Sequence, residues 1–436
     1  MQYQIDKEQV RAVMEARAIK TQAELAGKMG ITKNQLSVLL SEKSNPIKSC
    51  YQKMFDVLEI DPRKVIVPFK PANKPELIKL DFAKTDENCF VDTTKVKPLR
   101  KYKSVELFAG AGGLALGLEQ AGFAAQGLVE FDRHAAATLR MNRPDWNVIE
   151  EDVVKVAEKG IKSYLPADCQ DIDFVSGGYP CQAFSYAGKK MGLEDVRGTM
   201  FYYFADIVKQ LQPKIFLAEN VRGLMSHDHG RTLAAMLDIY NALGYKCETH
   251  LVHAVDYGVA QKRQRLIIVG IRNDLALNYR LPKKYAKQLV LRDVLQNVPP
   301  SAGEKYPLPK AKVLDLVPPG GYWRDLPDDV AREYMGKSYY SGGGRTGMAR
   351  RISWDEPCLT LTCSPAQKQT ERCHPDETRP FTVREYARIQ SFPDEWQFEG
   401  AVSQQYKQIG NAVPVELAKA IGLSIIDLLN KLESGK

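Results

Sequence analysis

Three short stretches carry side chains able to do covalent and acid–base chemistry. In SGGYPCQAFSYAG, residues 176–188, Cys181 follows two glycines and Pro180. That setting puts a thiol in a turn above a strand end, where nearby positive charge or a helix N-terminus would lower its pKa and make it a nucleophile. An inert buried thiol is the commoner fate of a cysteine, and the turn argues against it. In KIFLAENVRGL, residues 214–224, Glu219 and Asn220 close a very apolar run. A carboxylate there is costly unless paired or functional, and apolar walls would raise its pKa toward proton donation. A salt-bridged structural glutamate is the lesser alternative. In ELFAGAGGLALG, residues 106–117, Gly110, Gly112 and Gly113 let backbone approach a ligand closely where a helix begins. A nicotinamide-type GxGxxG would need glycine at 115, where Ala115 stands. Glu130, about twenty residues further on, suits ribose hydroxyls. A nucleoside-type cofactor follows.

The elements that must hold these residues are legible as apolar runs separated by helix-length segments: SVELFAG, AAQGLVEF, IDFVSGG, KIFLAEN, CETHLV and RLIIVG. Such alternation predicts an α/β fold with an open sheet, its ligands at the carboxyl ends of the strands. The regularity stops near 271, so 101–274 reads as the catalytic core and 275–350, rich in Pro, Gly, Lys and Tyr, as a smaller irregular domain. Residues 351–436 complete both, ending in the helical pattern PVELAKAIGLSIIDLLNKL. Residues 1–65 read as four short helices in an all-α domain, and 66–100, with Pro68, Pro71, Pro75 and Pro98, as a linker. Gly30 supplies a left-handed turn between two helices and Thr32 an N-cap for the next.

Composition excludes more than it assigns. A chain of 436 residues with 44% hydrophobic and 26% charged residues is neither a disordered nor a disulfide-scaffold protein. Eight cysteines without a CxxC pair predict reduced thiols. The group Cys358, Cys363, Cys373 and His374 fits no short zinc-knuckle spacing, so no metal is expected. No apolar stretch reaches the roughly 18 residues of a membrane span and no signal-like leader is evident, so a cytoplasmic protein without a membrane partner is expected. The formal charge of +8 favours a polyanionic partner without naming it.

Taken together in their order, FAGAGG, PCQ, ENV, QKRQR at 261–265, RPFTVREYARIQSFP at 379–393 and QIGNAVP at 408–414 resemble the DNA cytosine-5 methyltransferase family, over roughly 103–270 and 351–430. The resemblance implies a Rossmann-like S-adenosylmethionine-dependent methyltransferase sheet, a target-recognition domain at 275–350, and double-stranded DNA as substrate. It further implies Cys181 as nucleophile, Glu219 as its acidic partner, Arg265 near cytosine O2 and Arg263 near the catalytic loop. For S-adenosyl-L-methionine it implies Phe108, Gly110, Gly112, Gly113 and Glu130, with Phe131 stacked on adenine, Asp152 accepting from the adenine amine, and Pro180 and Asn411 closing the pocket. The stretch after Cys181 is expected to close over DNA, bringing Ser185, Lys189 and Lys190 to it. Residues 1–65 look like a phage-repressor helix-turn-helix, with Ala26, Gly30, Leu36 and Leu39 at the small, turn and core places. Its recognition helix, Thr32 to Leu40, would offer Lys33, Asn34 and Gln35 to DNA. That extension suits a restriction-modification enzyme that also binds its own promoter, monomeric in catalysis. A tRNA cytosine methyltransferase is the alternative that shares the core.

Overall fold

The computed structural model describes residues 3–19, 21–40, 51–68, 90–167, 169, 171–180, 193–340 and 345–435. The chain divides into two compact units, 1–76 and 77–436.

In the first unit, β1 (Tyr3–Ile5) leads into α1 (Lys7–Ala16), α2 (Gln22–Lys28), α3 (Lys33–Leu39), α4 (Gln52–Leu58) and α5 (Pro62–Val65), and β2 (Ile66–Pro68) returns. Side chains start these short helices: Asp6 accepts from the Glu8 and Gln9 N–H groups, and Thr21 from that of Glu24. Val10, Met14, Leu25, Ala26, Leu36, Met54, Phe55 and Leu58 bury together. Gly30 is left-handed, at φ +68°. The expected helices are there, but the unit is not purely helical. Ile66–Pro68, assigned to the linker by its proline, pairs antiparallel with β1 and closes the unit as a two-stranded ribbon. Proline is tolerated there because the ribbon has open edges.

The second unit opens with β3 (Phe90–Val91). There follow β4 (Tyr102–Leu107), β5 (Phe123–Glu130), β6 (Val148–Glu150), β7 (Phe174–Gly177), β8 (Ile215–Val221), β9 (Tyr245–His253), β10 (Gln261–Lys262), β11 (Gln264–Arg272), β12 (Leu281–Pro282) and β13 (Cys358–Leu359). Seven of these form the central sheet in the order β6-β5-β4-β7-β8-β11-β9. Neighbours run parallel except β11, which is antiparallel to both β8 and β9. The six expected strands are all present. The edge strand β6 is additional, and its three residues, VIE, are too few to show a period.

Helices α6 (Gly113–Ala121), α7 (Arg133–Asn142), α8 (Val153–Lys159), α9 (Met200–Leu211) and α10 (Arg231–Ala242) accompany the strands. Val156, Phe204, Ile207, Met236 and Ile239 pack with Val105, Val175 and Ile268 in one apolar layer. A second layer joins Leu114 and Leu118 of α6 to Phe174, Ile267 and Val269. It also holds Leu417, Ile421 and Ile425 of the last helix. The remaining helices are α11 (Leu291–Val294), α12 (Leu308–Asp315), α13 (Asp328–Met335), α14 (Val383–Ile389), α15 (Val402–Asn411) and α16 (Val415–Glu433). Between α6 and α16 the backbones approach closely: a Cβ at Gly117 would meet Ala418 Cβ at 2.5 Å, and one at Gly422 would meet Ala121 Cβ at 2.8 Å. Small residues on both helices make that crossing possible.

Two boundaries differ from the sequence reading. Residues 90–100 are docked on the core rather than free: β3 pairs with β12, and the Leu99 N–H donates to Asn430 Oδ1 at 3.0 Å. Residues soon after 275 also pack on the larger cores. Tyr279 and Leu281 bury in the α16 layer, and Leu291 and Leu295 pack with Ile352, Phe381 and Tyr386. A separate small core starts only at Tyr306, where Leu314, Trp323, Leu326, Met335 and Cys373 meet. Apolar residues scattered among prolines gave no period by which to assign them.

Asp173, at the start of β7, ties these pieces together. It accepts from Arg100 at 2.7 and 2.8 Å, from Lys214 at 2.8 Å and from the Lys103 N–H at 2.9 Å. Burial alone would raise its pKa, but Arg100 and Lys214 hold it below the ordinary value. A depressed carboxylate stabilises the fold above its unfolded pKa and loses that contribution as pH falls through the folded one. Asp173→Ala is therefore expected to cost about 3 kcal/mol at pH 7. In thermal unfolding from pH 7 to pH 2.5, the deficit should shrink below about pH 4; a deficit independent of pH would refute the charge account.

Candidate active site

The carboxyl ends of β4, β5, β7 and β8 and the start of the antiparallel β11 meet along one edge of the sheet, and a cavity of about 700 Å3 opens there. Its walls include Phe108, Gly110, Gly113, Glu130, Gly178, Pro180, Glu219, Arg263, Arg265, Cys363 and Asn411. The glycine turn is tightly wound: Phe108, Gly110 and Gly112 all have left-handed backbone, at φ +59°, +56° and +86°. Gly112 then begins α6 without a side-chain cap. Glu130 clasps this turn. It accepts from the Gly110 N–H and the Asp132 N–H, each at 2.7 Å, while burial pushes its carboxyl above the ordinary pKa.

Across the cavity, strand register brings Glu219 and Arg265 together. Glu219 is opposite Ile267 on β11, and Arg265, two residues before, shares its face. Their Oε1 and Nε atoms are 2.5 Å apart, with side chains 14% and 13% exposed. Arg265, rather than an apolar wall, meets the carboxylate. Gly178 makes room, since a Cβ there would fall 2.7 Å from Glu219 Oε2. Gly178→Ala is thus expected to displace the carboxylate and slow turnover roughly 100-fold, with the unfolding temperature little changed. A variant with wild-type turnover would show that the carboxylate position is immaterial.

Arg263 also lies in the cavity wall. It is fully buried and donates to the carbonyls of Leu361, Gly410 and Asn411, at 3.3, 3.1 and 3.5 Å. Burial and the nearby Arg265 push its pKa down to about 9. It lies in the break between β10 and β11, where its guanidinium joins two wall segments by their carbonyls. Phe131 and Asp152 are not in the cavity lining. The Phe131 ring is 74% exposed, and Asp152 caps α8 by accepting from the Val154 N–H at 2.9 Å. Gly112 also stays out of the lining, since its work is the turn itself.

Cys181, Ser185, Lys189 and Lys190 lie outside the described residues; Pro180, which precedes Cys181, is on the cavity wall. In the first unit Lys33 and Asn34 are exposed on α3. Gln35 instead closes the start of its own helix. Its Oε1 accepts from the Thr32 N–H at 2.8 Å, while Thr32 Oγ1 accepts from the Gln35 N–H at 3.2 Å. The pair forms a reciprocal helix cap, a pattern legible in the T-x-x-Q spacing. Cys358 and Cys373 are buried, Cys363 is exposed, and His374 Nδ1 accepts from two backbone N–H groups.

Sequence reasoning missed three wall features. Glu106, seen only as a strand residue, is 4% exposed with Oε2 unpartnered among the described residues. Burial and then Glu130 raise its pKa well above the ordinary value. Lys407 pairs with Asp132 at 2.9 Å, and Cys363 Sγ donates to Asn411 Oδ1 at 3.0 Å. Nothing in the spacing of these residues signals contacts across such long chain separations.

A seven-stranded sheet of this order, with β11 reversed between β8 and β9 and a glycine turn facing an acidic strand end, defines a Rossmann-like S-adenosylmethionine-dependent methyltransferase. More narrowly, the chain belongs to the C-5 cytosine-specific DNA methylase family, which matches residues 102–427. It is 52% identical to the Type II methyltransferase M.Sau96I of Staphylococcus aureus, over 98% of this chain and 99% of that one. It is 58% identical to the Type II methyltransferase M.Eco47II of Escherichia coli, over 78% and 82%. Among solved structures, a DNA modification methyltransferase encoded within an E. coli prophage is similar at 26% identity and a TM-score of 0.55, covering 76% of this chain and all of that one. DNMT2 of Spodoptera frugiperda, at 17% identity and a TM-score of 0.54 over 74% of this chain and 100% of its own, shares the fold. The protein is a DNA (cytosine-5-)-methyltransferase of the Type II restriction-modification kind, and S-adenosylmethionine is its methyl donor.

The residues present fit that donor. The cavity is large enough for a nucleoside with an amino-acid tail, its rim carries the buried acceptor Glu130, and the unpartnered Oε2 of Glu106 belongs to its lining.

Proposed function

We propose that the enzyme rotates a cytosine out of a specific duplex sequence and methylates it through Cys181, with Glu219 and Arg265 holding the ring. The observation that carries this reading is the Glu219–Arg265 pair beside Gly178 and Pro180, because Cys181 follows Pro180 directly in the chain. Cytosine C5 is a weak nucleophile. The Cys181 thiolate adds to C6, and the electron pair displaced from the C5–C6 bond spreads toward N3. Glu219 holds a proton at N3 and Arg265 donates to O2, so charge developing on the ring meets fixed partners. S-adenosylmethionine, when bound, supplies the methyl group that C5 takes up. Loss of the C5 proton to water then returns the electron pair to the C5–C6 bond and expels Cys181 as thiolate, while the proton on N3 goes back to Glu219. Phe108, Gly110, Gly113, Glu130, Pro180 and Asn411 would hold the donor in the cavity, with Gly112 shaping the turn. Phe131 and Asp152 would approach adenine at its rim.

Residues 275–350 would read the target sequence, and Ser185, Lys189 and Lys190 would contact its backbone. Methylation of random-sequence duplex with labelled donor, mapped at base resolution, tests the reading. Modified cytosines in one short sequence context are expected. Preferential labelling of tRNA in competition would overturn it.

The first unit would add a second DNA contact through Lys33 and Asn34 on α3, supported by the left-handed Gly30 turn and the exposure of both side chains. Gln35, engaged in the cap, would take part through its amide nitrogen. Binding to the protein's own promoter is its proposed use; footprints upstream of the coding sequence should vanish when 1–70 are removed. The enzyme would work as a cytoplasmic monomer. No helix of the described residues is long and apolar enough to cross a membrane.

A further inference from the structure

We infer that Cys363 is a positioning residue for methyl-donor binding, acting through Asn411. The inference rests on the reading of Asn411 as a donor-pocket residue. Both residues line the cavity, and the Cys363 thiol donates to Asn411 Oδ1 at 3.0 Å. Their backbones belong to two wall segments that are held firmly. The Leu361 N–H donates to Gln261 Oε1 at 2.9 Å, and Tyr386 Oη both accepts from the Thr362 N–H and donates to the Thr362 carbonyl, at 3.1 and 2.9 Å. On the other side, Arg263 binds the carbonyls of Gly410 and Asn411. The segments touch closely enough that a Cβ at Gly410 would meet the Thr362 carbonyl oxygen at 2.3 Å. Little freedom is left except rotation of the Asn411 amide.

An asparagine amide has an accepting end and a donating end of nearly equal shape, so a neighbour must choose which faces the cavity. A thiol, a donor with only weak accepting power, selects Oδ1. That choice leaves Asn411 Nδ2, which has no partner among the described residues, as a donor toward the cavity. The next wall residues, Ala412 and Val413, lie against Gly113 at the start of α6, where a Cβ would meet the Val413 carbonyl oxygen at 2.2 Å. The oriented amide therefore stands beside the helix N-terminus, a place suited to an accepting or anionic group of the donor. Without the thiol the amide would sample both orientations, and binding would weaken while the chemical step, served by other residues, would be spared.

Calorimetric titration of the full-length enzyme with S-adenosylhomocysteine tests this without turnover. Cys363→Ala should weaken binding roughly five- to tenfold, Cys363→Ser should restore it to within about twofold because the hydroxyl also donates, and KM for the donor should move more than kcat. The double variant Cys363→Ala/Asn411→Ala should bind no more weakly than Asn411→Ala alone. Wild-type affinity in Cys363→Ala, or equal weakening by Ser and Ala, overturns the inference while Asn411→Ala still weakens binding. Unchanged affinity in Asn411→Ala overturns the underlying reading of Asn411 and this inference with it.

Discussion

Cys181→Ser is expected to lower methyl transfer by on the order of 10,000-fold or more, because the hydroxyl is a far poorer nucleophile toward a pyrimidine ring than a thiolate at neutral pH. Donor affinity should be kept, since no cavity-wall contact of Phe108, Glu130 or Asn411 depends on that sulfur in the proposed scheme. The cleanest measurement is trapping. A duplex carrying 5-fluorocytosine at the target position blocks loss of the C5 substituent, so the wild-type enzyme should become covalently attached in the presence of methyl donor, and the serine variant should not. Attachment of the serine variant at the wild-type rate would remove Cys181 from the scheme.

Glu219→Gln should slow the chemical step roughly 100- to 10,000-fold, the range expected when a group that holds a proton in the transition state is replaced by one without an acidic proton. The geometry sharpens this expectation. Glutamine is nearly isosteric and would still fill the space beside Gly178, so packing is preserved. The 2.5 Å contact with Arg265, however, would lose its charge, leaving a cation only 13% exposed without its counterion. Single-turnover rates on the cognate duplex should therefore fall while the unfolding temperature changes modestly. A variant that loses DNA binding but keeps its single-turnover rate at saturating duplex would make Glu219 a binding group instead.

The sheet and the placement of its chemistry were legible because apolar runs of strand length recur with helix-length spacers, and because glycine, proline and acidic residues stop the runs at one edge. Cys181, Glu219 and the glycine turn stand out for the same reason: each breaks an apolar pattern at its end. The Glu219–Arg265 partnership became readable as geometry only with the reversed strand β11, since register across an antiparallel pair is absent from the local pattern. Arg263 and Arg265 look equivalent in QKRQR, yet Arg265 meets Glu219 while Arg263, in the break between β10 and β11, is buried among carbonyls. The ribbon that closes the first unit and the docked stretch 90–100 were hidden because two- and three-residue strands carry no period. The partnerships of Lys407 and Cys363 join residues 275 and 48 positions apart in the chain. Such contacts are products of the fold.

The close crossing of α6 and α16 has a consequence for synthesis of the chain. The glycine turn precedes α6, but its supporting helix α16 is synthesised after every strand of the sheet, and such distant pairing forms late. A nascent chain thus carries most of its chemistry without a finished donor pocket. Methylating activity should switch on only once α16 has docked, so a polypeptide stopped just short of α16 contributes none to the cell.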